Sequence, residues 1–409
     1  MSAPSPSTPI GTASGAMDFR LTADQKGVRD SIRELADKVL RPRAAAFEAA
    51  GEVPADVRRH LAEMGLFGML VPERFGGSAL DPLSYCLAIE ELARACAATS
   101  ITVSVSNSVV AAPIAAHGSD EQKQSLLPSM ARGELLGAFC LTEAHAGSDA
   151  AALRTRATRT AEGYRLQGSK AWATNAGWAG LFIIFATLDP ALGSRGITAF
   201  LVRSGNPSLR VGPPERKMGL RASSTAPVYL DDCEIPSSDR LGEEGRGMAI
   251  ALETLDAARI GVAAQCVGIA QAAFEEATAY ARGRRAFGHP IAEFGAVKAQ
   301  IADMATDIDA ARLLTHHAAS LRATGAEFGC QASMAKLWAS EAANRVAARA
   351  VQIHGAAGYS ADSPVERLYR DARVTTIYEG TSEIQRLVIA RRLLGSRVHS
   401  TPISPGPLA

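Results

Sequence analysis

The chain has 409 residues, of which 47% are hydrophobic, 21% charged and only 5% aromatic, an ordinary globular composition with length for roughly two to four domains. Lys and Arg number 43 against 42 Asp and Glu, a formal net charge of +1. Without a sustained basic block this excludes a general nucleic-acid binder, whose affinity rests on clustered cations. Six scattered cysteines without a C-x-x-C pair argue against a zinc site or a disulfide framework and suit a reducing, cytoplasmic location of bacterial type.

The first sixteen residues, MSAPSPSTPIGTASGA, lack the apolar core of a secretory signal and the arginines of a transit peptide. Residues 1–17 are expected to form a disordered tail and 398–409 a flexible one. No apolar run reads as long enough to span a bilayer, so no membrane partner is expected.

Residues 18–134 read as a helical domain. Val28, Ile32, Leu35 and Val39 recur at spacings of four, three and four, one face of a 3.6-residue helix. Thr22 and Gln25 before them have capping-box spacing, and Ser119 opens another helix. Pro42, Pro54, Pro72, Pro82, Pro113 and Pro128 punctuate the region into short helices.

Residues 135–245 change texture to β-like runs broken by Gly, Asn, Asp and Pro. Tyr164–Gly168, Leu181–Thr187, Ile197–Val202 and Ala226–Leu230 are the clearest. Several strands without alternating helices predict an antiparallel β-barrel or sandwich. Residues 246–397 return to long helices. Val297, Ile301, Met304 and Ile308 repeat at four, three and four; a second helix covers 330–353 and ends at Gly355. A last helix runs over 382–394, with Ser382 and Gln385 as its cap and Gly395 as its stop. The expected class is α+β, mainly α, with a C-terminal four-helix bundle whose apolar faces also pack against other subunits.

The chain has no G-x-S-x-G elbow, no H-E-x-x-H, no P-loop and no G-x-G-x-x-G. Four segments carry more polar chemistry than a scaffold needs. Phe139–Asp149 runs from a strand into a small-residue turn, where the Thr142 hydroxyl and the Gly147 and Ser148 amides suit a polar ring edge or a phosphate. Gly168–Gly177 sets Trp172 and Thr174 at i and i+2 on one strand face; a Trp can lie over a flat heteroaromatic while the Thr meets its edge, although an isolated W-x-T is first read as core. Arg284–Gly288 breaks two long helices, and Thr376–Gln385 opens onto the last one. Glu379 there reads by itself as a helix-dipole partner worth about 0.3–1 kcal/mol.

Together these segments resemble the acyl-CoA dehydrogenase family over Leu21–Leu394. The anchors are T-E-A-H-A-G-S-D (142–149), K-A-W-A-T-N (170–175), L-D-A-A-R (255–259), R-R-A-F-G (284–288) and I-Y-E-G-T-S-E-I-Q-R (377–386), all in family order. From Leu255 onward the resemblance is closest to short-chain, butyryl-type members, notably in Arg259-Ile-Gly, Ala335-Lys-Leu and Tyr369–Arg373.

The resemblance implies an FAD enzyme with Glu379 as catalytic base, taking the α-proton of an acyl-CoA thioester while the flavin takes the β-hydride. It implies FAD contacts from Phe139, Cys140, Leu141, Thr142, Gly147, Ser148, Trp172, Ala173 and Thr174. Arg284 and Phe287 would join them from an adjacent subunit, with Gln352, Ile353, His354, Gly355, Ala356, Thr381, Ser382 and Glu383. Ser148, Asp256, Arg259, Tyr378 and Gly380 would line the substrate site, Gly380 letting the thioester approach the backbone. The implied partners are a short-chain acyl-CoA, an electron-transferring flavoprotein and further copies of the chain in a homotetramer. Without substrate, only a modest perturbation of Glu379 is expected, its desolvation opposed by the following helix N-terminus. Family members with the base on the preceding long helix would need it at Ala258, where none is present. Departures from the family pattern are Ala144 and His145 after the T-E pair, Gly295 for a Gln that contacts FAD, and Ala356 for a Gly. An oxygen-reacting acyl-CoA oxidase or flavin monooxygenase on the same fold is the alternative reading, and an inactive binding protein a more distant one.

Overall fold

The computed structural model describes residues 20–395, so the tails expected at 1–17 and 398–409 fall outside the described residues. Helix α1 (Ala23–Leu35) starts on the capping box, with Gln25 N donating to Thr22 Oγ1 at 3.2 Å and Thr22 N to Gln25 Oε1 at 3.0 Å. It buries Ile32 and Leu35 against α2 (Pro82–Ala95), which Asp81 caps and Pro82 opens. Next come α3 (Ala97–Val105) and, continuous with it, a π-helical turn over Ser106–Ala111. In α4 (Asp120–Ala131), Ser119 and Gln122 form a second capping box, and Gln122 Nε2 also reaches the Ser238 and Arg240 carbonyls across to the sheet. Pro128 lies within the last turn of α4 instead of ending it, leaving the carbonyl four residues back without its helical donor.

The sheet strands are β1 (Gly137–Cys140), β2 (Arg156–Arg159), β3 (Gly163–Thr174), β4 (Leu181–Thr187), β5 (Ile197–Arg203), β6 (Leu209–Val211), β7 (Thr225–Pro236) and β8 (Arg240–Leu241). They form one eight-stranded sheet in the order β6-β7-β3-β2-β4-β5-β8, with β1 on β4. Most pairings are antiparallel, but β1 and β2 both run parallel to β4. All seven residues of β4 are buried because each face of the strand serves a different core. Leu181, Ile183 and Phe185 join the large core shared with the helices, while Phe182, Ile184 and Ala186 fill a second core within the sheet region. This explains why β4 reads as an unbroken apolar run instead of an alternating one.

The C-terminal part contains α5 (Gly247–Gly283), α6 (Gly295–Ala323), α7 (Gly329–His354), α8 (Pro364–Arg373) and α9 (Ser382–Leu394). Helix α7 packs on the other four through a buried face of small residues that includes Ala332, Ala335, Ala339, Ala343 and Ala347. Between α5 and α6 a hairpin pairs β9 (Arg285–Ala286) with β10 (His289–Pro290). Two helices, Ala97–His117 and Gly247–Gly283, are long and apolar enough to cross a membrane, contrary to the reading of the sequence. Their most apolar windows are 94% and 83% buried inside the protein, so that surface already serves the core.

Helix α5 lies tightly against α2 at Gly268, where an added Cβ would fall 2.2 Å from the Glu90 carbonyl oxygen. Gly268→Ala is expected to cost about 1–3 kcal/mol through forced helix displacement, read as a lowered midpoint in urea denaturation. An unchanged midpoint would mean that α2 and α5 part there without penalty.

Candidate active site

Glu379 stands in a turn between α8 and α9, with φ 51° at Glu379 and 93° at Gly380. A non-glycine residue in this left-handed region costs about 1–3 kcal/mol and persists only where its surroundings impose it. Two donors do so here. Lys336 Nζ on α7 donates to the Gly380 carbonyl at 2.7 Å, and Gln385 Nε2 on α9 donates to the same oxygen at 2.9 Å and to the Glu379 carbonyl at 3.2 Å. The helix cap is therefore not the one expected from the sequence. Thr381 caps α9, its Oγ1 accepting from Ile384 N at 3.3 Å. Gln385 instead turns back to carbonyls that no helix hydrogen bond reaches.

The Glu379 residue is half-buried, but its Oε2 is withdrawn from water and has no hydrogen-bond partner. Burial pushes the carboxyl up to about 7, against the pull of Lys336 and Arg259. The perturbation is thus large before any ligand arrives, not modest as expected, with burial outweighing both cations. Arg259 on α5 is buried; its Nη1 donates to Asp256 Oδ1 at 2.5 Å and to Ser333 Oγ at 3.2 Å, and its Nε is unpartnered. Asp256 also accepts from Arg392 Nη2 at 2.6 Å. The Tyr378 hydroxyl donates to Gln265 Oε1, and Gln265 Nε2 donates to the Ala97 carbonyl at 2.9 Å, linking the turn to α5 and α3. Gly380 is required by its own φ and by Gln385 Nε2, which would lie 2.7 Å from an added Cβ; the expectation had rested on thioester access alone.

A second group joins the end of β1 to the end of β3. Ala171 N donates to the Thr142 carbonyl at 2.9 Å. The buried Lys170 Nζ spans Thr142, donating to the Leu141 carbonyl at 3.3 Å and to Glu143 Oε1 at 2.7 Å. Burial works against the charged Glu143, yet Lys170, Thr155 and the Arg154 amide hold it below the usual carboxylate range. Trp172 has φ 59° at an irregularity of β3 and is 58% exposed, with Thr174 half-buried and Ala173 turned inward. Gly147 and Ser148 are exposed, and a Cβ on Gly147 would meet nothing. An exposed indole beside an open, small-residue loop fits a flat ring system with a polar edge. Cys140, Leu141, Ala173, Ile353 and His354 bury their side chains, leaving only their main chain for a ligand. Helix α3 connects this group to the surroundings of Glu379. Its Thr102 carbonyl accepts from Asn175 Nδ2 at 3.0 Å, while its Ser104 bonds Tyr85, whose hydroxyl feels the Glu379 charge.

Arg284, Phe287 and Gln352–Ala356 form a third group at one end of the bundle. Tyr280, at the end of α5, stacks on His354 with ring centroids 4.2 Å apart, bringing the hairpin and the α7 terminus together. Arg284 is exposed and Phe287 is 94% exposed. Among the described residues no hydrogen bond or ion pair ties this group to the second one. Ser382 is buried at the start of α9 with an unpartnered hydroxyl, and Glu383 is exposed.

Sequence reasoning did not single out Lys336, Gln385, Gln265, Tyr85, Glu143 or Lys170 as site residues. For Lys336 a signal was present: it shares the 4-3-4 spacing of Ala332, Ala339 and Ala343, a lysine on a face otherwise reserved for small core residues.

Three family models match the chain in order: the acyl-CoA dehydrogenase N-terminal domain over residues 22–134, the middle domain over 138–233 and the C-terminal domain over 245–394. An acyl-CoA dehydrogenase of Bacillus subtilis is 47% identical over 377 residues, 92% of this chain and 100% of that relative. The solved butyryl-CoA dehydrogenase of Megasphaera elsdenii is 42% identical with a TM-score of 0.91, covering 93% of this chain and 100% of that one. A chain from a structure described as the electron transferring flavoprotein of Acidaminococcus fermentans is 44% identical with a TM-score of 0.91, covering 92% and 100%.

The buried carboxyl has a thermodynamic signature. A folded-state value near 7 against an ordinary 4.5 means that stability is full below about 4.5 and falls as pH rises through 7. Glu379→Gln is therefore expected to raise the thermal midpoint of the substrate-free protein at pH 8, with the gain shrinking through pH 7 and vanishing near pH 4.5. Calorimetry across that range checks it; a constant offset would mean that Glu379 is not the titrating group.

Proposed function

The chain belongs to the acyl-CoA dehydrogenase family, and from that premise we propose that it converts a short-chain acyl-CoA to the trans-2-enoyl-CoA with Glu379 as the base. The observation that carries this reading is the Glu379 carboxyl itself. It is withdrawn from water, unpartnered at Oε2, shifted to about 7 and flanked by Lys336 and Arg259. A base for a weakly acidic α-proton works best with a pKa near the operating pH, and an oxygen without a hydrogen bond is free to accept that proton.

The family is FAD-dependent, and the residues of the second group suit the ring: Phe139–Thr142, Gly147 and Ser148 along its polar edge, Trp172–Thr174 against its plane. Bound FAD supplies the acceptor for the β-hydride. The chain's own part is to orient the thioester, exclude water and take the α-proton at Glu379. Substrate entering over Glu379 removes the remaining solvent and raises the carboxyl's basicity further. Asp256, Arg259, Tyr378, Gly380 and Ser148 are assigned to the acyl-CoA side. A short acyl group is favoured by the likeness to butyryl-CoA dehydrogenase and by the Tyr378–Gln265–Ala97 link, which crosses the interior beside the base with polar contacts.

Arg284, Phe287 and Gln352–Ala356 are assigned to the FAD of a neighbouring copy in a homotetramer, since a guanidinium and exposed amides suit a diphosphate and, among the described residues, no hydrogen bond or ion pair ties them to the ring site of their own chain. Leu387 and Leu394, 61% and 76% exposed on α9, give an apolar surface for such assembly. An electron-transferring flavoprotein is the assigned acceptor of the electrons.

Glu379→Gln is expected to keep FAD and bind butyryl-CoA while losing about 10²–10⁴-fold in turnover; a rate close to wild type would remove Glu379 as the base. Anaerobic turnover with butyryl-CoA should accelerate when the carrier flavoprotein is added. Full turnover sustained by oxygen alone, without the carrier, would favour an acyl-CoA oxidase instead.

A further inference from the structure

Lys336 has 0% relative exposure, on a helix face where its neighbours Ala332, Ala339 and Ala343 are equally buried. An ammonium taken out of water in this way is normally paired with a carboxylate. Among the described residues no carboxylate lies in ion-pair contact with Lys336; its hydrogen bond is the one to the Gly380 carbonyl at 2.7 Å. Gln385 Nε2 already donates to that oxygen at 2.9 Å. A neutral donor would serve the carbonyl, so the positive charge needs a separate explanation.

The charges around Glu379 supply it. Helix α5 contributes Arg259, Asp256 and Cys266, α2 contributes Tyr85, α9 contributes the exposed Glu383, and the turn itself contributes Tyr378. Burial keeps the two phenols and the thiol neutral. Of the two cations acting on Glu379, Arg259 is held by Asp256 at 2.5 Å, a carboxylate that Arg392 on α9 shares at 2.6 Å. Among the described residues Lys336 has no carboxylate in ion-pair contact, and its field reaches the Glu379 carboxyl.

Resting on the reading of Glu379 as the base, we propose that Lys336 is its positioning residue: it pins the left-handed turn through the Gly380 carbonyl and supplies a positive charge against which the carboxylate ionises. Burial brings the two groups toward each other in pH, Glu379 up to about 7 and Lys336 down to about 8. Between those values both are charged, and the base is ready. Losing the ammonium leaves Glu379 with burial opposed only by Arg259, so its ionisation moves to higher pH.

The test compares Lys336→Gln, which keeps a donor for the Gly380 carbonyl, with Lys336→Met, which removes donor and charge, and uses Glu379→Gln as reference. All are prepared as FAD-loaded holoenzyme, with FAD content and circular dichroism recorded. The first readout is infrared titration of the substrate-free carboxyl, assigned by its disappearance in Glu379→Gln. The second is the pH profile of single-turnover flavin reduction by butyryl-CoA. Both Lys336 variants are expected to move the carboxyl titration and the acid limb upward by about one pH unit or more. Lys336→Gln should recover the wild-type rate at high pH, and Lys336→Met should not. A rate lowered equally at every pH, with the titration unmoved, would overturn the proposal. So would failure of both variants to fold and hold FAD, which would make Lys336 a stability residue. If Glu379→Gln itself turns over near the wild-type rate, the base reading fails first, a result distinct from an unmoved Lys336 profile.

Discussion

One oxygen of the Glu379 carboxyl is kept from water without a partner, and this costly arrangement requires three helices to converge on a single turn. Helix α5 brings Arg259, α7 brings Lys336 and α9 brings Gln385. The strained φ values of Glu379 and Gly380 can be held only because two donors meet on one carbonyl oxygen. A turn without those donors would relax toward solvent, and the carboxyl would return to an ordinary acid. The long bundle helices are therefore the means by which a weak acid is kept basic.

The sheet answers a different demand. Strand β4 fixes the middle of the sheet by sending alternate side chains into two cores. The adjoining β1 end and the β3 end are then locked together by Lys170, which reaches both sides of Thr142. Asn175 extends the same connection to α3, whose Ser104 bonds Tyr85. Two loops distant in sequence become one rigid platform.

Much of this was legible in the sequence because the signals were local. The capping boxes at Thr22 and Ser119, the stop at Gly355 and the strand runs at 181–187 and 197–202 depend on neighbours a few residues away. The resemblance motifs located Glu379, Trp172 and Arg259 for the same reason. What escaped depends on distance in the chain. Gln385 reads as part of a cap at Ser382, but Thr381 holds the cap and the Gln385 amide turns back to the Glu379 and Gly380 carbonyls. The large shift of Glu379 arises from burial in the folded chain, and no linear pattern reports desolvation. The parallel pairing of β1 and β2 with β4 is likewise a property of topology, and the two long apolar helices were missed because small and hydroxyl residues dilute their appearance.

The hairpin between α5 and α6 has a bearing on how any partner surface would meet the chain. Its two-residue turn has φ 51° at Phe287 and 83° at Gly288, a mirror-image turn that matches strand twist and leaves little freedom. The almost fully exposed Phe287 ring is thus displayed at a fixed angle, edge-on to Phe294 with centroids 6.1 Å apart. A surface that receives it does not have to freeze a mobile loop, because that ordering was completed when the chain folded. The same rigidity leaves the isolated chain with an oily point that cannot be tucked away, so recognition and the hazard of non-specific sticking come from one ring.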